Sequence, residues 1–593
     1  VNTTDQIHEH GHGHHHDHTP AHNPPANPTP EAEPDIVLDY ARRMFERQRV
    51  PLPPYGFTVD WSDQPSRHKL YQGVTRVPLP SPFDRMPRVS LDAAVTASRA
   101  AHGDLLPSLD VLAAALACYG LTGRRTQPNW NEDSRRKLQT QNAVWARPTP
   151  SGGGMYPAET YLVTGNDATL PAGVYHYATA HHGLDRLAVG SHVEELAQAS
   201  GVAAGMYLVA SLRFWKNAFK YNSFSYHVVT QDIGALLASW RLVLGAHGIA
   251  VEPLLWFDEA AVSDLIGIDG VAEAPFVVVP LGPIAQAKDV TTPGTRATPL
   301  EPLIRRDTRR SEPHQVWEKS RRVRSFPLVE EVHAATLVGS LPRPGPADAV
   351  AGALHAVTSD DGSTVVTLPA ATSQDGDLDL TSSLGARRSS FGALSASRPL
   401  DPADLGWMLA MTNRLAGTGT DVAPAPRAHP WIRLRIIANQ VDGLEQGGYV
   451  YDGHRHRLSD ARPVDGAELQ RYYALTNYNL REAAVVVVVT GQLKPLVRTY
   501  GGRGYRMLSI EVGQSAQALY LAAAARGLGV GAVLGIDNLA VDAMLGIDGT
   551  DETSMLFILL GHERGPRAGY DHAIRYPARA HTDSPSKGAV SHD

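Results

Sequence analysis

The chain of 593 residues holds one cysteine, Cys118. A single cysteine excludes an intramolecular disulfide, a cysteine-based zinc site and an iron–sulfur cluster. Cys118 closes the apolar helical stretch 109–116, so it reads as a small core residue rather than a nucleophile. No run of about 18 apolar residues is present, which argues against a membrane helix. The Val-rich run 483–489 has the length of a buried strand. An excess of positive charge is also lacking: the net charge is −7, which gives no footing for a nucleic-acid partner. No basic start followed by an apolar stretch opens the chain, so no secretory signal is read and a cytoplasmic location is expected.

What is present is ordinary in composition and unusual in arrangement. With 43% hydrophobic and 19% charged residues, the sequence describes a soluble globular protein of two to four domains. Residues 1–35 form a tail rich in His and Pro, with His8, His10, His12, His14, His15, His16 and His18 crowded together. Such a tail cannot build a core and is expected to be disordered. It would bind metals weakly, and no metal site is assigned.

Self-similarity organises the rest. Tyr221 and Tyr500, Tyr226 and Tyr505, Gly234 and Gly513, and Gly248 and Gly527 are each 279 residues apart. So are Gly267-Ile268-Asp269-Gly270 and Gly546-Ile547-Asp548-Gly549, and finally Gly282 and Gly561. Upstream, Gly173-Val174-Tyr175-His176-Tyr177 matches Gly447-Gly448-Tyr449-Val450-Tyr451 at a spacing of 274, as a short loop insertion would produce. Two copies of one α+β fold are therefore expected: residues 36–285 with an N-terminal extension, and 380–567. A connecting segment, 286–379, joins them, and 568–593 form a tail. Each copy reads as strand, Tyr-rich hairpin, long helix (515–526 in the second), Gly turn and last strand.

Four stretches carry a family resemblance: Asp60-Trp61-Ser62-Asp63-Gln64-Pro65 with Lys69 and Tyr71; Pro150-Ser151-Gly152-Gly153-Gly154-Met155-Tyr156-Pro157; Lys220-Tyr221; and Arg387-Arg388-Ser389. The tandem halves resemble the nitroreductase superfamily, and more narrowly its azoline dehydrogenases of the SagB/ThcOx type. That resemblance implies an α+β fold of two fused nitroreductase-like domains acting as an intramolecular pseudo-dimer. It also implies FMN and the oxidation of thiazoline or oxazoline rings in a ribosomal peptide, with a cyclodehydratase as possible partner.

A flavin phosphate needs cations and amide donors. Arg387, Arg388, Ser389, Arg503 and Arg506 are candidates, with Arg564 and Arg567 after the last strand. The ring edge needs closely approaching amides, for which Pro150, Ser151, Gly152 and Gly153 and the turn leading to Val530 and Gly531 are suited. In the family each flavin takes its Arg-x-Ser clamp from one partner and its Pro-Ser-Gly loop from the other. Here the second copy has Pro424-Ala425-Pro426-Arg427-Ala428-His429-Pro430 where the first has its glycines, and proline removes a donor. Conversely, Phe224 and His227 stand in the first copy where Arg503 and Arg506 stand in the second, and its nearest clamp is Arg88-Val89-Ser90. The losses are complementary, so one flavin per chain is expected and a monomer suffices.

Lys220 and Tyr221 are the candidate catalytic bases: desolvation lowers a lysine's pKa, and a cationic neighbour lowers a phenol's. Phe391 and Phe224 replace cations that the family often carries. Two other readings stay open: an NAD(P)H-dependent reductase or other FMN dehydrogenase of small molecules, and a flavin-less scaffold that binds a precursor peptide.

Overall fold

The computed structural model describes residues 33–101, 103, 105–127, 143–286, 314–345, 365–423, 430–565 and 569–574. The histidine run, the 424–429 stretch and Arg567 lie outside the described residues. The first copy contributes strands β1 (Thr75–Pro78), β2 (Ala158–Thr164), β3 (Gly173–Ala178), β4 (Gly183–Val189), β5 (Met206–Arg213) and β6 (Glu273–Leu281). The second contributes β7 (Val366–Thr367), β8 (Leu394–Ser395), β9 (Ile432–Ala438), β10 (Gly447–Asp452), β11 (Arg457–Arg462), β12 (Val485–Gln492), β13 (Gly529–Val533) and β14 (Glu552–Glu563). The antiparallel orders are β6-β5-β2-β3-β4-β1 and β14-β12-β9-β10-β11-β7, with β8 and β13 added to β14. The six strands of the first sheet have counterparts in the same order in the second. The Val-rich run forms most of β12, which lies between β9 and β14 with all but its last residue buried.

The helices used below are α1 (Glu33–Glu46), α2 (Phe214–Tyr221), α3 (Ser225–Ala246), α4 (Pro327–Ala335), α5 (Leu380–Ala386) and α6 (Arg503–Ala525). Helices α3 and α6 are buried almost all round, because each packs against the other as well as against its own copy. They cross at Gly234 and Gly513. A Cβ on Gly234 would collide with the Ile510 carbonyl, and one on Gly513 with the Gln231 carbonyl. Ile510 and Gln231 are themselves 279 residues apart, so the two contacts are images across a pseudo-two-fold axis. The same symmetry holds at the helix starts, where Arg506 Nε donates to the Tyr226 hydroxyl (2.9 Å) and Tyr505 OH bonds His227 Nδ1 (2.6 Å). Only glycine lets two backbones approach this closely.

Three expectations need correction. The long helix of the second copy starts at Arg503 rather than 515, since the Tyr-rich motif is its first turns. The connecting segment is partly core: α4 buries Val329, Val332 and His333 and packs on α1. Arg88-Val89-Ser90 is not a clamp. Ser90 caps the helix Leu91–Ala100 by accepting from Ala93 N, as Asp379 caps α5 by accepting from Ser382 N. Cys118 is buried, and burial pushes its thiol up to about 12, as a core residue requires. Among the described residues no helix is long and apolar enough to cross a membrane, and no cluster of side chains could hold a metal.

Candidate active site at the seam between the copies

The clamp begins where α5 ends. Arg387 leaves the helix with φ −49° and ψ 123° and turns its guanidinium into the seam, where it is 5% exposed. Its Nη2 donates to the Arg147 carbonyl of the first copy (3.0 Å), its face lies 5.3 Å from the Tyr520 ring, and its Nε meets no acceptor. Arg125 of the first copy, 7% exposed, donates to the Gly385 carbonyl (3.2 Å) and to that of Arg387. Neither arginine forms an ion pair among the described residues. Burial, then Arg387, pull Arg125 down to about 10 against the opposing pull of Asp571, its register partner on the strand Asp571–Ala573. Arg387 is thus a buried cation with no ion pair among the described residues, which marks a place for an anion. Ser389 Oγ bonds the Tyr520 hydroxyl (2.8 Å), and exposed Arg388 pairs with Glu563.

The loop lies across the seam. Arg387 holds the Arg147 carbonyl and Gln517 Nε2 the Pro148 carbonyl (3.4 Å), two residues before Pro150. Ser151 Oγ donates to Asp232 Oδ2 (2.6 Å) and accepts from Tyr156 N (2.9 Å), while Gly152 N donates to Asp232 Oδ1 (2.9 Å). Gly153 has φ +65°, and a Cβ there would overlap the Tyr221 hydroxyl. The Gly152 carbonyl accepts from Asn217 Nδ2 and the Gly153 carbonyl from Lys220 Nζ, both at 3.1 Å. Helix α2 thus presents Asn217, Lys220 and Tyr221 to the loop. In the second copy, Glu511 holds Trp431 N (2.9 Å) and β9 starts at the next residue, whereas Gly152 precedes β2 by six.

The structure thus ties Arg387 to the Arg147 carbonyl, three residues before Pro150, and ties the Gly152-Gly153 turn to Asn217, Lys220 and Tyr221. It does not bring in Arg503 and Arg506. Arg503 pairs with Glu259, and Arg506 donates to Tyr226, Thr336 Oγ1 (2.7 Å) and His333 Nδ1 (2.9 Å). Fourteen residues of α6, about 21 Å, separate Arg506 from Tyr520. These arginines fill the core near the pseudo-axis, because position 506 is the image of 227. Val530 is also spent: its N–H donates to Ser390 Oγ and its carbonyl accepts from Ser390 N, both at 2.8 Å. Gly531 faces the Tyr478 hydroxyl. Arg564 lies beside the clamp turn, donating through its amide to Ala393 O (2.7 Å) and through Nε to Leu394 O (3.3 Å). Phe391 stacks on Tyr478 at 5.2 Å.

Burial raises Tyr221 to about 12, and Asp232 adds to this. The cationic neighbour does not prevail, so Tyr221 is a hydrogen-bond donor at neutral pH and not a base. Lys220 is lowered by burial, with its ammonium 5.1 Å from the Tyr221 ring centre. Burial lifts Asp232 to about 7, against its bonds from Ser151 and Gly152. Sequence reasoning missed Arg125, Arg147, Asp232, Ser390 and Tyr520. Asp232 was visible as part of a repeat, Asp232-Ile233-Gly234 against Glu511-Val512-Gly513, and Arg147 stands three residues before Pro150.

Comparison with known proteins agrees with this frame. The nitroreductase family model matches residues 111–283 and 425–562, together more than half of the chain. The trifolitoxin-processing protein TfxB of Rhizobium leguminosarum bv. trifolii is 31% identical over 135 residues, 21% of this chain and 36% of that protein. A candidate nitroreductase of Methanocaldococcus jannaschii is 29% identical over 111 residues, 19% of this chain and 56% of that one. The chain thus spans between about a third and just over half of the curated relatives' lengths. The crystal structure of a candidate nitroreductase from Anabaena variabilis superposes with a TM-score of 0.66 at 23% identity, covering 89% of this chain and 99% of its own. That likeness, nearly end to end, is one of fold. The chain belongs to the nitroreductase family, and it carries the family fold twice.

Proposed function

We propose that the chain is an FMN-dependent dehydrogenase with one flavin per chain, lodged in the seam, and that it oxidises azoline rings in a ribosomally made peptide to azoles. The observation that carries this reading is the buried guanidinium of Arg387, which forms no ion pair among the described residues and leaves Nε without an acceptor, with Arg125 beside it and Ser389 two residues on. A phosphate dianion supplies the missing charge. Arg387, Arg125, Arg388 and Ser389 would hold that phosphate, and the Ser151-Gly152-Gly153 turn would border the ring. The residues present fit the group.

When bound, the oxidised flavin accepts a hydride, here from the azoline methylene. The chain's own part is to take the proton from the neighbouring ring carbon. Lys220 does this, because burial raises the fraction of its amine that is neutral. Tyr221 keeps its proton and donates a hydrogen bond at the same face. Asp232 fixes Ser151 and Gly152 and so the height of the loop. The peptide substrate is supported by the resemblance to azoline dehydrogenases and by a relative named for trifolitoxin processing. An azoline arises by cyclodehydration of a peptide, so a cyclodehydratase is the expected partner.

The test is the visible spectrum of the purified protein with its flavin released and counted, followed by turnover on an azoline-bearing peptide with oxygen as reoxidant. One FMN per chain and steady azole formation support the reading. Rapid bleaching by NAD(P)H with turnover on quinones or nitroarenes replaces it with a reductase. A colourless protein that FMN does not restore replaces it with a peptide-binding scaffold.

A further inference from the structure

Two straps run side by side next to α2: the stretch 53–71 of the N-terminal extension and the stretch 314–326 of the connecting segment. They are laced together. Leu70–Tyr71 pairs with Val316–Trp317, and the Phe57 and Phe326 rings meet at 5.4 Å. Each amide from 319 to 322 is held: Lys319 N by Ser66 Oγ (2.7 Å), Ser320 N by Glu318 Oε1 (3.0 Å), and Arg321 N (2.6 Å) and Arg322 N (3.0 Å) by the Asp63 carboxylate. The backbone is thus fixed, while the side chains of Lys319, Arg321, Arg322 and Arg324 are exposed.

Charge on the straps is one-sided. Together they carry Arg67, Lys69, Lys319, Arg321, Arg322 and Arg324 against Asp60, Asp63 and Glu318. Lys69 is taken by Glu273, and Glu318 by Arg213. The exposed remainder is five cations facing two carboxylates, in a chain whose net charge is −7. None of the four cations at 319–324 makes an ion pair among the described residues. By contrast, exposed Arg42, Arg455 and Arg471 each pair with a carboxylate three residues away. Tyr55, Trp61, Trp317 and Val323 are exposed on the same straps. Aromatic rings beside guanidiniums are the make-up of a protein-binding face. A nucleic acid or a lipid surface asks for a broader positive field than one strap of an acidic chain projects across a Debye length of about 10 Å.

We propose that the paired straps are a docking surface for an acidic, extended segment of the peptide that is oxidised. This rests on the peptide reading above. The surface is joined to the reaction site. Trp61 packs on Phe219 with ring centres 5.4 Å apart, and Lys220 is the next residue. Trp61 and Asp63 are the two ends of one short turn, so the basic run is tied through Asp63, this turn and Phe219 to the base. Carboxylates held at 319–324 keep the azoline of the same peptide near Lys220 and raise its effective concentration there.

The experiment is fluorescence anisotropy of the full chain with fluorescein-labelled hexaglutamate and hexaglutamine, at pH 7 and about 20 mM salt. Exposed ion pairs are weak singly, and several on one peptide make the acidic one bind about tenfold more tightly. At about 0.5 M salt the difference disappears. Arg321→Glu, Arg322→Glu and Arg324→Glu combined remove it; all three side chains are exposed, so the fold is kept. Arg42→Glu, Arg455→Glu and Arg471→Glu combined change the net charge equally and leave the preference in place. Equal affinity for the two peptides, a preference unchanged by the strap reversals, or an equal loss in the distant ones overturns the proposal. So does tighter binding of hexauridylate or of phosphatidylserine vesicles than of hexaglutamate, which assigns the straps to nucleic acid or membrane. Flavin content is counted on the same samples. A colourless chain that still prefers hexaglutamate ends the dehydrogenase reading and leaves the docking surface standing. A chain with flavin and azoline turnover but no preference does the reverse.

Discussion

Asp232→Asn isolates the residue on which the loop depends. Its carboxyl is buried in α3, with a pKa raised from 3.8 to about 7. Below about pH 4 it is protonated in both the folded and the unfolded chain. Between about pH 4 and 7 the folded chain binds the extra proton, so stability falls as pH rises through that window and levels off above it. Three units at 1.36 kcal/mol each give a loss of about 4 kcal/mol by pH 8. Asparagine removes the titration. Its Oδ1 accepts from Gly152 N, and its Nδ2 donates to Ser151 Oγ in place of the present Ser151 donation. Asp232→Asn therefore gains on the wild type as pH rises from 5 to 8, by up to about 3 kcal/mol. Asp232→Ala leaves the Ser151 hydroxyl proton and Gly152 N without acceptors and costs about 2–4 kcal/mol at pH 5. The assay is urea unfolding of each protein at pH 5, 6, 7 and 8. The difference between wild type and variant cancels other titrating groups, such as Asp421, raised to about 6. Parallel pH profiles for wild type and Asp232→Asn would refute the reasoning.

The remaining predictions concern the seam and the pseudo-axis. Arg387→Ala weakens FMN retention roughly tenfold to a hundredfold, read as flavin released per chain, whereas Arg506→Met lowers stability and leaves flavin content unchanged. Lys220→Ala keeps the flavin and slows turnover about tenfold or more, because a general base is lost; Tyr221→Phe also keeps the flavin and slows turnover, and flavin loss in either would move that residue to binding. Gly234→Ala and Gly513→Ala each cost about 2–3 kcal/mol by denaturant midpoint, because a methyl must displace a carbonyl of the crossing helix.

The duplication is legible in the amino-acid sequence alone. Constant spacing between Tyr226 and Tyr505 and between Gly234 and Gly513 states that two segments fold alike, and the paired strand orders follow. The clamp at Arg387 and the loop at 150–153 are legible too, because short motifs with fixed backbone needs carry their own signal. Arg503 and Arg506 are misread because an arginine in sequence does not say whether its charge faces a cofactor or a buried Glu259, Tyr226 and His333. Val530 is misread because a free amide and one held by Ser390 look the same in one dimension.

By itself the sequence determined that this protein is two copies of one fold, and where the glycines and arginines stand along the chain. Only the tertiary structure decided which arginines lack a partner, that Asp232 holds the loop, and that Tyr221 keeps its proton. The reason is that periodicity and backbone demands are local and repeat along a chain. Burial, counter-charge and orphaned donors arise only when segments hundreds of residues apart pack together and exclude water.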